Sequence, residues 1–216
     1  ITETKYLKKK NVYLLLGDVY VTNNATLYIE PGTVIRGDFE TTATLIISKG
    51  SKIIAFGEET DPIVFTSNKG AEERRPGDWG GLIIMGDAPS NKFTGTLNAG
   101  LQPKYSLYGG SNVDGDSGIM KYVRIEFAGK KGKNGNNLSA LTLAGLGRKT
   151  IINHVQVSFS KDDSYKVYGG DLLSGNLISY KAADDDFNFT EGVQLYLDNC
   201  LAVRSPFTTN SENPRV

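Results

Sequence analysis

Apolar residues along the chain come in short runs of two to five, with none of the sustained i, i+3, i+4, i+7 spacing that marks an amphipathic helix. Leu27–Ile29 (TLYIEPG), Leu45–Ile47 (TLIISKG), Ile63–Phe65 and Leu82–Ile84 are followed by Val123–Ile125, Leu141–Leu143, Val155–Val157 and Leu177–Ile178. Most neighbouring runs lie 15 to 22 residues apart. That is long for a hairpin meander and short for a strand–helix–strand crossover, but it suits one coil of a parallel β-solenoid carrying about three short strands. In the first coil the strands read as Leu14–Leu16, Val19–Val21 and Leu27–Ile29, broken at Gly17-Asp18 and Asn23-Asn24, where turn residues permit it. The expected fold is therefore all-β, one solenoid domain over residues 1–216 or a fragment of a longer one. A loop excursion over 86–121 breaks the rhythm.

One feature repeats with its register visible. Asp162, Asp163 and Ser164 recur 22 residues later as Asp184, Asp185 and Asp186, with Tyr165 answered by Phe187 and Gly170 by Gly192. Stacked coils bring equivalent residues to about 4.8 Å, so like carboxylates repel unless they are solvated, protonated or bridged by a cation. An all-oxygen ligand set, Asp162, Asp163, Asp184, Asp185 and Asp186, suits calcium, whereas zinc would call for histidine or cysteine. Turn chemistry accounts for the same residues without an ion, because aspartate side chains bond nearby backbone N–H groups.

A catalytic use would take one of two forms. In a calcium-assisted polysaccharide lyase the aspartates hold calcium against a uronate carboxylate while Lys161, Lys166 or Lys181 removes the adjacent proton. In a glycoside hydrolase, two carboxylates such as Asp163 and Asp185 serve as acid and base. Neither signature is complete, so a noncatalytic role is the leading expectation.

Charge narrows the field further. Twenty-four basic residues balance 24 acidic ones, which offers no field for nucleic acid or an anionic membrane. No apolar run is long enough to span a bilayer, and no signal peptide opens the chain at ITETKYLKKK, where a mature or trimmed protein would look the same. No cofactor is required beyond the calcium weighed above. In the excursion Phe93, Tyr105 and Tyr108 are placed to stack on sugar rings, with Asn91 and Asn98 as hydrogen-bonding partners, or else to pack the loop on its scaffold. Cys200 in YLDNCLAV and Trp79 in GDWGG read as packed side chains, and His154 as a structural residue at a strand start. NVDGDSG, residues 112–118, alternates Asp114 and Asp116 but lacks the glycine and glutamate of an EF-hand loop.

VYVTNNATLYIEPGTVIRGD, Val19–Asp38, resembles the opening coil of right-handed parallel β-helix proteins exported by Bacteroidota. PGDWGGLIIMGDAP, KYVRIEFAG, VQVSFSKDDSYKVYGG and ISYKAADDDFNF resemble the same cell-surface or secreted family, within the pectate-lyase-like superfamily, over about Val12 to Phe207. The resemblance implies a right-handed helix outside the cell or at its surface, in contact with glycan or another envelope protein. A partner covering the terminal coil goes with that reading, since solenoid ends need shielding. The family's acidic segments often read DDSFE and DDDFD. Here Lys166 and Asn188 replace the last acidic position of each, which lowers the charge available to an ion.

Overall fold

The computed structural model describes residues 1–92 and 95–206. Early coils carry three short strands each. Asp18–Val21, Thr26–Ile29 and Val34–Gly37 lie beneath Thr44–Ile47, Lys52–Phe56 and Ile63–Ser67, each pair parallel and in register. Later coils differ from the expected three separate strands. Gly118–Glu126 runs unbroken, pairing with Lys52–Phe56 through its first half and with Ile63–Ser67 through its second. Ile151–Ser158, Asp171–Tyr180 and Gln194–Val203 stack on it in turn. Opposite them, Gly81–Met85, Leu141–Ala144, Tyr165–Tyr168 and Phe187–Thr190 continue a six-stranded parallel sheet begun by Asp18–Val21. The result is a right-handed parallel β-helix.

A left-handed residue explains how one strand can serve two faces. Tyr122, His154, Asn176 and Asn199 occupy equivalent positions with φ between 50 and 54°, and each bends its strand into a corner. A second corner follows at Phe127, Phe159 and Lys181. Left-handed backbone disfavours side chains with a Cβ by roughly 1–2 kcal/mol, and stacking offsets part of this: the Phe127 and Phe159 rings are 5.0 Å apart and nearly parallel. His154 thus lies mid-strand at a corner, not at the strand start expected from sequence.

Alternate residues point inward and form one apolar core, in which Leu45, Leu82, Leu141 and Tyr165 stack along the axis. Trp79 is fully buried, as its glycine setting implied, and its indole N–H donates to the Glu126 carbonyl at 2.8 Å. The excursion leaves the six-stranded sheet after Met85 and returns at Gly118, somewhat before residue 121. It packs back on the outer face of that sheet through Leu97, Ala99 and Tyr108 against Ile46, Ile83 and Met85. Among the described residues no helix is long and apolar enough to cross a membrane.

Candidate functional site

The two acidic clusters sit one above the other where the chain enters the six-stranded sheet. Tyr165 lies opposite Phe187, their rings stacked at 5.0 Å, so the aspartates just before them occupy equivalent turns of adjacent coils. Asp163 is almost completely buried, and one of its oxygens accepts the backbone N–H of Asp185 at 3.2 Å. The other is 3.1 Å from the Lys166 ammonium. Asp163, Asp184 and Asp185 each offer a carboxylate oxygen within 4.8 Å of the other two.

The remaining aspartates do not join them. Asp162 accepts the Ser139 hydroxyl at 3.2 Å, while Asp186 accepts the Ser179 hydroxyl at 2.5 Å and is 3.4 Å from Arg204. The five-carboxylate set expected from sequence is therefore a group of three. Asp185 also accepts the amide of Asn188 at 3.1 Å, so a residue read as weakening the site serves to hold it. Lys166 is engaged by Asp163, and Lys181 turns at a corner with its ammonium 5.0 Å from the Tyr180 ring. Lys161 is exposed.

Burial pushes the Asp163 carboxyl up to about 6, and neighbouring Asp162 adds to the rise despite the opposing pull of Lys166. An unfolded aspartate titrates near about 3.9, so the folded chain holds this proton more tightly and its contribution, present below about pH 4, is lost as pH rises through about 6. Urea unfolding of the wild type is expected to show about 1 kcal/mol less stability at pH 8 than at pH 5 from this group. Asp163→Asn should remove that difference. An equal pH dependence in both proteins would show that another group is responsible.

The excursion's aromatic residues have different fates. Tyr108 is 3 % exposed and donates its hydroxyl to Glu191, which also pairs with Lys92 at 2.8 Å. Its phenol pKa is raised, first by burial and then by that carboxylate. Its ring anchors the loop, the packing role that the sequence offered beside sugar stacking. Tyr105 is half-buried and tilts against Tyr20 at 5.2 Å, a second anchor. Phe93 lies outside the described residues. Asp116 of the 112–118 loop is held by Lys52 at 2.5 Å and by the Gly118 N–H at 2.9 Å, which ties the turn to the helix.

Cys200 is exposed, against the expectation of a packed thiol. It does occupy a core-facing register, opposite the buried Leu177, but in the last described strand no further coil lies over it.

Sequence reasoning missed a groove of about 610 Å³ that runs along the helix axis beside the first corner. Its floor is one outward position per coil, Arg124, Gln156, Ile178 and Leu201 in register. Its edge is the corner row. Asn199 donates to the Asn176 side-chain oxygen at 2.6 Å, Asn176 donates to Asn153 at 3.1 Å, and the Tyr122 and His154 rings lie 4.5 Å apart. Glu59 and Pro62 close one wall. His154 Nδ1 is buried with no hydrogen-bond partner among the described residues. The recurrence Tyr122, His154, Asn176, Asn199 has irregular spacing and mixed chemistry, so only the 23-residue step between the two asparagines carries a signal.

Residues 1–211 match the model of a family described as a pectate-lyase like beta helix domain. No curated protein and no solved structure matches the chain.

Proposed function

The chain belongs to the pectate-lyase like beta helix domain family, a membership consistent with a glycan-related role, and from that premise we propose that it binds a glycan without cleaving it. The groove is the observation that carries this reading. It offers two asparagines and a glutamine for sugar hydroxyls, a guanidinium and a carboxylate at its margin, and the aliphatic surfaces of Ile178 and Leu201 for the C–H faces of the rings. A glycan suits it better than an extended peptide from another envelope protein. Peptides added to a sheet are held by backbone hydrogen bonds at a strand edge, and this groove crosses strands whose backbone groups are already paired with their neighbours. Placement outside a bacterial cell or on its surface belongs to the same proposal, supported by the resemblance of the VYVTNNATLYIEPGTVIRGD and DDDFNF segments to exported proteins.

A calcium-assisted lyase is the second reading, and the convergence of Asp163, Asp184 and Asp185 favours it. These three oxygen donors fit a hard cation in kind, although the Lys166 ammonium already sits against Asp163. Calcium there would neutralise a uronate carboxylate and acidify the adjacent carbon. Of the three lysines that could take the proton, Lys166 is in an ion pair and Lys181 lies over aromatic rings, which leaves the exposed Lys161 as the base for this reading.

Calorimetry against soluble acidic and neutral polysaccharides, with calcium and then with chelator, tests both readings. Binding without product is expected, and the double variant Asn176→Ala, Asn199→Ala should weaken it at least about tenfold, near 1.4 kcal/mol. Unsaturated-uronate absorbance that needs calcium and disappears in Asp163→Asn or Asp185→Asn would replace binding with the lyase. Affinity unchanged by the double variant would move the glycan off the groove.

A further inference from the structure

Away from the groove and the acidic turns, the ten-stranded sheet that runs from Lys5–Leu7 through Thr26–Ile29, Lys52–Phe56 and Gly118–Glu126 to Gln194–Val203 carries on its outer face a row that is apolar from one described end of the helix to the other. Tyr6 lies opposite Tyr28, Tyr28 opposite Ile54 and Ile54 opposite Ile119. Ile119 lies opposite Ile151, the pairing of Ile152 with Ser174 sets Ile151 beside Leu173, and Leu173 lies opposite Tyr196. Seven coils thus contribute one outward apolar side chain each, over about 29 Å at the usual strand separation. Outward positions of a solvated sheet are ordinarily polar. Here Tyr6 and Leu173 are each 56 % exposed and Tyr196 is 65 % exposed, while Tyr6 and Tyr28 stack at 4.8 Å with their rings nearly parallel. Phe56, also exposed, widens the stripe at the next outward position.

We infer that this stripe is the interface between two copies of the chain, packed face to face with their helix axes antiparallel. Size is the first argument. With Phe56, the row leaves roughly 700–800 Å² of mostly apolar surface in water, beyond the few hundred Å² common on monomers and close to the ~800 Å² each partner gives a standard interface.

Self-complementarity is the second. A two-fold axis through Ile119, lying along its strand, sets Ile119 against its own equivalent and Ile54 against the second copy's Ile151. It sets Tyr28 against Leu173 and Tyr6 against Tyr196, so each of the seven row residues meets an apolar one, while Phe56 at the margin meets Asn153. Such an isologous contact closes on itself and leaves no open-ended filament.

Charge is the third argument. Two residues along from Tyr6 stands Lys8, and two along from Tyr196 stands Asp198, on the same side of the stripe. The same two-fold brings Lys8 of each copy to Asp198 of the other. Lys8 is paired with Glu30 in its own chain at 2.7 Å, and Asp198 would extend that pair into a network. Lys121 falls on the axis and faces its own equivalent. Its ammonium already leans over the Phe56 and Tyr122 rings, 5.5 and 5.4 Å from their centroids, which draws the two charges aside.

Sedimentation equilibrium of the full chain over a wide concentration range reads this directly. The wild type is expected to approach the mass of two chains. Ile119→Asp, which sets two carboxylates against each other across the axis, and Tyr196→Lys at the exposed end should each weaken association at least tenfold, with the β-sheet circular dichroism unchanged. Lys8→Asp and Asp198→Lys should each weaken it as well, and the two together should restore it. A one-chain mass at every concentration overturns the proposal, and so does a dimer indifferent to all four substitutions. Occupation of the stripe by a soluble glycan, seen as protection of Tyr28 and Tyr196 in a protein that stays monomeric, overturns it equally.

Discussion

Gly118→Ala is expected to lower stability by about 4 kcal/mol or more, enough to leave much of the chain unfolded. A Cβ built on Gly118 would lie 1.9 Å from the Ile53 carbonyl oxygen and 2.8 Å from its carbon. These are backbone atoms of the coil below, paired in register with Gly118, and they cannot move without opening the ladder. The backbone adds to the cost, because a φ of 107° lies outside the regions that residues with a Cβ occupy. Gly135→Ala makes the control. Its φ is 80° but nothing lies within 4 Å of the point a Cβ would occupy, so it should lose only about 1–2 kcal/mol. Urea unfolding of both variants checks the pair, and similar losses would show that conformation, not the closeness of the coils, sets the effect at Gly118.

Asp78→Ala should cost about 3–5 kcal/mol, because it strips the partner from a buried charge cluster. Asp78 is 2 % exposed and accepts from Lys69 at 2.8 Å, from the Ser67 hydroxyl at 2.7 Å and from the Arg75 N–H at 2.9 Å. Burial alone would push its carboxyl up, but these donors, Lys69 foremost, hold it below the ordinary aspartate value. A lowered pKa contributes stability above the unfolded value of about 3.9 that is lost as pH falls through the folded one, so this group belongs to the acid limb below about pH 4. Asp163 acts in a separate window nearer pH 6. Unfolding followed from pH 2 to 8 separates them: Asp78→Ala should flatten the acid limb and leave the change near pH 6 in place. An unaltered acid limb would assign it to other carboxylates.

Much of the fold is written in the sequence because stacking repeats a local pattern. The 22-residue recurrence of Asp162–Ser164 at Asp184–Asp186 is the register of two paired strands, and the Tyr165–Phe187 stack follows from it. Leu141 and Leu143 point inward because alternation fixes both at once. Other features have no local signature. A left-handed corner accepts Tyr122, His154, Asn176 or Lys181 alike, since its requirement is on backbone angles and stacking rather than residue type. The groove, assembled from those corners, was therefore hidden. Tyr108 reads in sequence as either a loop anchor or a sugar-stacking ring, and its partner across 83 positions, Glu191, has no local signal. Cys200 has the apolar neighbours of a buried thiol, and only its place in the last described strand accounts for its exposure.

The excursion has a bearing on how the chain comes to be built. Strands Lys52–Phe56 and Ile63–Ser67 find their upper neighbour only in Gly118–Glu126, so 50 residues of translation separate the lower edge from the strand that covers it. Where the chain folds as it is made, at ribosomal speeds of about 5–20 residues per second, that edge waits roughly 3–10 s with its backbone groups unpaired. Strand addition by another nascent chain competes with closure throughout this interval, and joining ends so far apart adds an entropic delay. Lysines Lys52 and Lys69 stand along or just beyond the waiting strands, where charge discourages such pairing. A pause in synthesis within residues 86–117 would lengthen this exposure, whereas a pause after Glu126 would find the edge already closed.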